Sequence, residues 1–137
     1  NASEVKTEKG EGRILVMDDV EAIRDVATNM LRTLGYTTAD ARDGIEALEL
    51  YREAMKTDEP FDAVIMDLTV PGGMGGQETV KNLLRMDPKA KVIVSSGYSN
   101  DGIMADYKAH GFSGVVPKPY TLNQLGEAVG RLLSGFC

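Results

Sequence analysis

Five polar residues that could support metal or phosphoryl chemistry each follow a short apolar run in this 137-residue sequence. They comprise three carboxylates, a hydroxyl and an ammonium: Asp18, Asp19, Asp67, Ser95 and Lys118. Three carboxylates brought together repel one another, and a hard divalent cation such as Mg²⁺, which prefers oxygen ligands, relieves that repulsion. A carboxylate beside a metal, a lysine and a hydroxyl also has the parts needed to accept a phosphoryl group.

The elements that must position these residues alternate along the chain. Apolar runs predict five strands, at 13–18, 36–41, 61–67, 91–96 and 113–117. Apolar residues at helical spacing, with Val26, Ile45 and Met55 among them, predict helices over 20–34, 45–55 and 80–86. A short helix around 103–107 is expected to stop at Gly111, and a capping box at 121–124 opens the last helix. We therefore expect a doubly wound α/β fold with a five-stranded parallel sheet and helices on both faces.

This fold would bring the five polar residues together. In open parallel sheets, ligands bind outside the carboxyl ends of the strands. Asp18 and Asp19 end the first predicted strand, Asp67 the third and Ser95 the fourth, and Lys118 follows the fifth. Each has an ordinary explanation on its own, such as acidic residues starting a helix or a lysine at the surface. Together those explanations require five coincidences at one edge of one sheet, so we favour a functional site.

Composition limits the remaining possibilities. The formal charge is −6 and no stripe of Lys and Arg appears, which argues against a nucleic-acid surface. No apolar run reaches the length of a membrane span, and the only cysteine, Cys137, excludes a disulfide framework. His110 is interpreted as a helix-end residue and not as a ligand. We expect a soluble intracellular protein, with a linker or disordered N-terminus at 1–11 and a single domain at 12–137.

The sequence resembles the receiver domain of two-component response regulators. The resemblance lies in MDD at 17–19, MDLTVPGG at 66–73, VSSG at 94–97 and KPY at 118–120, and it covers roughly residues 12–134. The region from VPGGMGG to VSSGYS most resembles receivers attached to hybrid sensor histidine kinases. The resemblance implies a flavodoxin-like sheet of order 2-1-3-4-5 and a cytoplasmic phosphorelay. In it, a histidine kinase or histidine phosphotransfer domain would phosphorylate Asp67.

The resemblance also implies a set of Mg²⁺ ligands. Asp19, Asp67 and the backbone carbonyl of Thr69 would bind Mg²⁺ directly, and Asp18 would act through a water molecule. No turnover enzyme is implied, only a phosphoacceptor that catalyses its own phosphorylation and dephosphorylation.

The implied switch residues come from the last two strands. Ser95 would be the switch hydroxyl, and Lys118 would contact the phosphate next to a cis Lys118–Pro119 bond. Val115 takes the position where the family carries a switch aromatic, so we expect no ring to report the change. The loop after Pro71 is one residue longer than usual, with Gly-Gly in place of Asp-Gly. The signal is expected to leave through strand four and the short helix after it.

Two other functions use similar parts. A haloacid-dehalogenase-type phosphatase also has an aspartate nucleophile with Mg²⁺, but it needs Asp-x-Asp, and this sequence has Asp67-Leu68-Thr69. A flavodoxin-like flavin carrier would need phosphate donors after strand one, where this chain has Asp18, Asp19 and Glu21. Steady hydrolysis of a phosphomonoester would favour the first, and a coloured protein would favour the second.

Overall fold

The computed structural model describes residues 12–68, 70, 73–96 and 105–134. Strands β1 to β5 run over Arg13–Met17, Thr37–Ala41, Ala63–Asp67, Val92–Ser96 and Gly114–Pro117. Helices α1 to α4 cover Glu21–Thr33, Gly44–Met55, Gly76–Met86 and Leu122–Ser134, and a 3₁₀ helix spans Tyr107–His110. All five predicted strands are present, and α3 begins four residues before the start that the apolar spacing indicated.

The five strands form one parallel sheet in the order β2-β1-β3-β4-β5. This confirms the predicted doubly wound α/β fold and its 2-1-3-4-5 order. The register places Asp67 at the end of β3 directly beside Ser95 of β4. Two backbone hydrogen bonds continue the pairing past the strands, from Asp18 N to Ala41 O at 3.0 Å and from Leu68 N to Ser95 O at 3.0 Å. The hydrogen bonds of the sheet therefore fix the backbone of Asp18, Asp67 and Ser95.

Alternate side chains of the strands fill two separate cores, one on each face of the sheet. Leu15, Met66 and Val94 point to the face covered by α2 and α3. Ile14, Ile65 and Ile93 point to the opposite face, covered by α1 and α4. Because both faces are buried, the strands read as continuous apolar runs without alternation.

Three residues assigned to buried helical stripes are in fact exposed. Val26 is 51% exposed, Ile45 57% and Met55 43%. The buried stripe of α1 is centred on Ala27 and Leu31, and Val26 lies about 100° around the helix from Ala27. In α2 the buried positions, spaced by three and four residues, are Gly44, Ala47, Tyr51 and Ala54. Residue type alone therefore predicted a buried face wider than the observed one on both helices.

The helix ends follow the local sequence. Thr121 and Gln124 form the predicted capping box, with Gln124 N donating to Thr121 Oγ1 at 3.1 Å and Thr121 N donating to Gln124 Oε1 at 2.9 Å. Gly111 ends the 3₁₀ helix with φ of 96°, a left-handed conformation that favours glycine, and His110 precedes it at the helix end. Residues 103 and 104, on which the short helix was also predicted, lie outside the described residues, as do residues 1–11 and Cys137. No helix in the described part is long and apolar enough to cross a membrane.

Candidate functional site

The carboxyl end of the sheet gathers the three predicted carboxylates and the lysine. One oxygen from each of Asp18, Asp19 and Asp67 lies within 4.8 Å of the others. Lys118 Nζ lies 2.5 Å from Asp18 Oδ2 and 3.3 Å from Asp67 Oδ1. Asp18 is 3% exposed and Asp67 7%, so both carboxylates are buried beside the lysine, whereas Asp19 is exposed.

Asp18 is held by protein donors at both carboxylate oxygens. Oδ1 accepts a hydrogen bond from the backbone N–H of Val20 at 2.9 Å, and Oδ2 accepts one from Lys118. An oxygen that already accepts from the protein has fewer lone pairs for a cation. This arrangement fits a role for Asp18 through water better than direct ligation.

Lys118 is the positive charge that faces the buried carboxylates. Its burial alone would lower the pKa of the ammonium, but the hydrogen bond to Asp18 and the charges of Asp67 and Asp18 outweigh burial and raise the pKa. Lys118 is therefore charged at neutral pH. The Lys118–Pro119 bond is cis, as predicted.

The hydroxyl of Ser95 has no hydrogen-bond partner within the described residues. Ser95 is buried, and it pairs with Asp67 across the two central strands. A buried hydroxyl normally has a partner, and an unsatisfied one costs about 1–3 kcal/mol. An oxygen of a group bound at Asp67 would supply that partner.

The glycines after Asp67 allow the loop backbone to pack against the backbone at the end of β3. A side chain at Gly76 would place its Cβ 2.7 Å from Asp67 O, and one at Gly75 would place it 2.7 Å from Leu68 O. Gly76 N donates to Leu68 O at 3.1 Å. These two glycines are therefore needed for close contact with the backbone of Asp67 and Leu68.

The donor set suits Mg²⁺. Oxygens of Asp18, Asp19 and Asp67 all lie within 4.8 Å of one another, so Asp19 and Asp67 could bind the ion directly while Asp18 holds one of its waters. The ligands are all oxygens, and the exposure of Asp19 leaves room for the waters that Mg²⁺ retains. Thr69, whose backbone carbonyl was predicted as a further ligand, lies outside the described residues.

Two residues near the site were missed in the sequence. Arg24 of α1 reaches the backbone carbonyl of Asp18, and Tyr120 lies beside the site after β5. Burial, reinforced by the charges of Asp18 and Asp67, raises the pKa of the Tyr120 phenol to about 12. Only the KPY motif at 118–120 pointed to Tyr120, and no sequence signal pointed to Arg24.

Val115 lies half-buried on the edge strand and pairs with Val94. It lines a cleft between the 3₁₀ helix and α4, next to Tyr107 and Leu132. Val115, which stands where the family carries a switch aromatic, therefore borders a cleft. Residues 97–104, between β4 and the short helix through which the signal is expected to leave, lie outside the described residues.

Comparison with known proteins agrees with this geometry. The model of the response regulator receiver domain family matches residues 14–130, and the chain belongs to that family. It is 33% identical to the sensor kinase CckA of Brucella abortus, over 96% of this chain but only 14% of that protein. It is 30% identical to the chemotaxis protein CheY of Thermotoga maritima, over 88% of this chain and 96% of that protein.

A solved structure of a response regulator shows the same fold. It is TrrA from Thermotoga maritima in complex with Mg²⁺-BeF, 30% identical, with a TM-score of 0.76 over 89% of this chain and 99% of that chain. The fold and family identify the chain as a receiver domain of two-component signal transduction. Receiver domains are phosphoacceptor switches and not classical enzymes.

Proposed function

We propose that this domain accepts a phosphoryl group on Asp67 in a Mg²⁺-dependent reaction with a phosphohistidine of a histidine kinase or histidine phosphotransfer domain. The main support is the setting of Asp67, a buried carboxylate beside the Lys118 ammonium and the unsatisfied hydroxyl of Ser95. Such transfers take place in the cytoplasm, where we place the domain.

Each residue contributes to the transfer through its charge or hydrogen bonds. An oxygen of Asp67 attacks phosphorus, the new O–P bond forms as the N–P bond breaks, and the histidine nitrogen keeps the electron pair. Asp19, Asp67 and the carbonyl of Thr69 would hold Mg²⁺, with Asp18 acting through water, and the bound ion would supply positive charge to offset that of the phosphoryl oxygens. Lys118 offsets further negative charge, and Ser95 donates its hydroxyl to a phosphoryl oxygen.

The same chemistry supports a switch in preference to a phosphatase. Thr69 stands where the phosphatase pattern requires the second carboxylate that acts as general acid. The family match also gives no support to that alternative. We propose that each chain accepts one phosphoryl group at a time on Asp67, and that the domain itself catalyses the hydrolysis of the phosphorylated residue.

The relatives support this assignment of partner and metal. CckA is named as a sensor kinase, and this chain is similar to a small part of it, which is the arrangement expected of a receiver in a hybrid kinase. TrrA was solved with Mg²⁺-BeF, a group related in chemistry to the one proposed here. We therefore propose a phosphorelay role, either within a hybrid kinase or beside one.

Labelling with a small acyl phosphate tests the proposed function. With Mg²⁺ present, intact-mass measurement should show one added phosphoryl group per chain and no continuing hydrolysis of a phosphomonoester. EDTA should abolish labelling, because without the ion the carboxylates repel the incoming phosphate. Labelling that is unchanged in EDTA, or steady turnover, would contradict the proposal.

We also propose that the signal leaves through strand β4 and the segment after it. Movement of Ser95 toward a phosphoryl group would pull the loop that follows, while Val115 has no ring to transmit the change to β5. With a beryllofluoride mimic and Mg²⁺, large amide shifts should cluster at 67–76 and 95–106, with smaller shifts at 113–116. Equally large shifts in β5 and α4 would show that Val115 does not uncouple them.

A further inference from the structure

We propose that Arg24 is a positioning residue for the Mg²⁺ site, because it fixes the backbone that carries Asp18 and Asp19. This inference rests on the proposed function, in which those carboxylates serve the ion. Arg24 lies one turn into α1, on the side of the helix that faces the site and the edge strand β2.

The guanidinium of Arg24 joins two parts of the fold. Its Nη1 donates to the backbone carbonyl of Asp18 at 2.8 Å, and its Nε donates to Asp40 Oδ2 of β2 at 2.8 Å. Its side chain is 15% exposed and that of Asp40 is 48% exposed, so solvent screens the ion pair with Asp40 more than the contact with the Asp18 carbonyl. Arg24 thereby links the residue that ends β1 to a carboxylate on the neighbouring strand.

Three contacts together fix the Asp18 peptide. The N–H of Asp18 donates to Ala41 O, its carbonyl accepts from Arg24, and its carboxylate accepts from Val20 N. The next residue, Asp19, is exposed, so the direction of its side chain depends on the backbone that precedes it. Removal of the Arg24 contact would leave the Asp18 carbonyl without this donor, and the peptide that leads to Asp19 would be held less firmly.

Arginine suits this role better than lysine. Its planar guanidinium presents donors in a rigid fork that reaches two acceptors at once, whereas an ammonium is a flexible point charge. Groups that orient metal ligands without touching the ion typically affect affinity by about 10–100-fold when replaced. Arg24 orients only the backbone of Asp18 and Asp19. We therefore expect its replacement to lower Mg²⁺ affinity about tenfold, at the lower end of that range.

Positioning and charge predict opposite effects on Mg²⁺ binding. If Arg24 acted only as a nearby positive charge, its removal would strengthen binding of a cation and Arg24→Lys would leave binding unchanged. If Arg24 positions the ligands, Arg24→Lys weakens binding although the charge is kept. The lysine variant therefore separates the two roles.

Arg32 provides a matched control on the same helix. It also joins α1 to β2, with Nη1 donating to Thr38 Oγ1 at 3.2 Å, but it lies at the end of α1 away from the site. Arg32→Lys makes the same chemical change and should leave Mg²⁺ affinity within about twofold of wild type.

The experiment is a Mg²⁺ titration of the unphosphorylated domain, followed by the backbone amide shifts of Asp19 and Val20. Arg24→Lys should weaken Mg²⁺ binding about tenfold and shift these two amides even in EDTA, and Arg24→Gln should also weaken it. Asp40→Asn, which keeps Arg24 but removes its ionic partner, should weaken binding by a smaller factor. Thermal unfolding in EDTA shows whether each variant is folded.

Affinity of Arg24→Lys within twofold of wild type, a similar loss in Arg32→Lys, or tighter binding by Arg24→Gln would each overturn the inference. If Arg24→Lys does not fold, Arg24→Gln decides the question, because loss of charge alone would tighten Mg²⁺ binding whereas loss of positioning would weaken it. Failure of the wild-type protein to bind Mg²⁺ or to become labelled would instead contradict the proposed function.

Discussion

The Asp67→Asn protein is expected to take up no detectable phosphoryl group from a small acyl phosphate in Mg²⁺, under conditions that label the wild type. An asparagine oxygen carries no charge and is a poor nucleophile, and a neutral side chain is also a weaker Mg²⁺ ligand. Of the carboxylates gathered at the site, Asp67 ends a central strand beside both Lys118 and Ser95. Intact-mass measurement over time checks the result.

Asp62 gives the matched control for this variant. It lies just before β3, at the opposite end of the strand from Asp67, and accepts a hydrogen bond from Arg13 N at 2.8 Å. Asp62→Asn makes the same chemical change away from the site and should be labelled like the wild type. Labelling of Asp67→Asn at the wild-type level would show that another residue is the acceptor, and peptide mapping would then identify it.

The position of the site could be predicted because its residues adjoin the most regular part of the chain. Asp18, Asp67 and Ser95 directly end or follow apolar strands, and parallel strands bring their carboxyl ends to one edge. No information about side-chain contacts was needed for that step. The sheet order required the family resemblance, since alternation of strands and helices alone allows more than one order.

Contacts between elements could not be predicted in the same way. Arg24 meets the carbonyl of Asp18 and the carboxylate of Asp40 only because α1 crosses back over β2, and sixteen residues separate Arg24 from Asp40. Its sequence neighbours mark it only as a charged residue on an amphipathic helix. The exposure of Val26 and Ile45 depends likewise on how each helix is rotated against the sheet, and apolar type does not determine that rotation.

The need for glycine after Asp67 also depends on tertiary packing. Four glycines lie among the nine residues after Asp67, a composition typical of a turn. The structure gives two of them a steric reason, since a Cβ at Gly75 or Gly76 would meet backbone oxygen of β3 or its extension at 2.7 Å. Gly44 is similarly constrained from α2, where a Cβ would lie 1.9 Å from Thr79 Oγ1. Gly75 and Gly76 thus allow close contact with the end of β3, and Gly44 allows close contact between α2 and α3.

Replacement of Lys118 should have the largest effect on stability. Lys118→Met keeps the apolar stem but removes the ammonium that contacts Asp18 and Asp67, both of which are buried. Loss of one partner from a buried ionic contact leaves uncompensated charge and costs about 3–5 kcal/mol. We expect urea denaturation in EDTA at neutral pH to show a decrease of that size in the free energy of unfolding.

Mg²⁺ should restore much of the stability that Lys118→Met loses. A cation bound by the same carboxylates offsets their charge, and a ligand that binds only the folded state stabilises it in proportion to the logarithm of its concentration. Lys56→Met is the matched control, since Lys56 makes an exposed ion pair with Glu53 at 3.3 Å and such pairs contribute about 0–1 kcal/mol. If Lys118→Met were as stable as Lys56→Met in EDTA, the ammonium would not be what offsets the buried carboxylates. In that case the electrostatic account of this site would be wrong. There would then be no reason to expect Lys118 to offset the negative charge of a phosphoryl group.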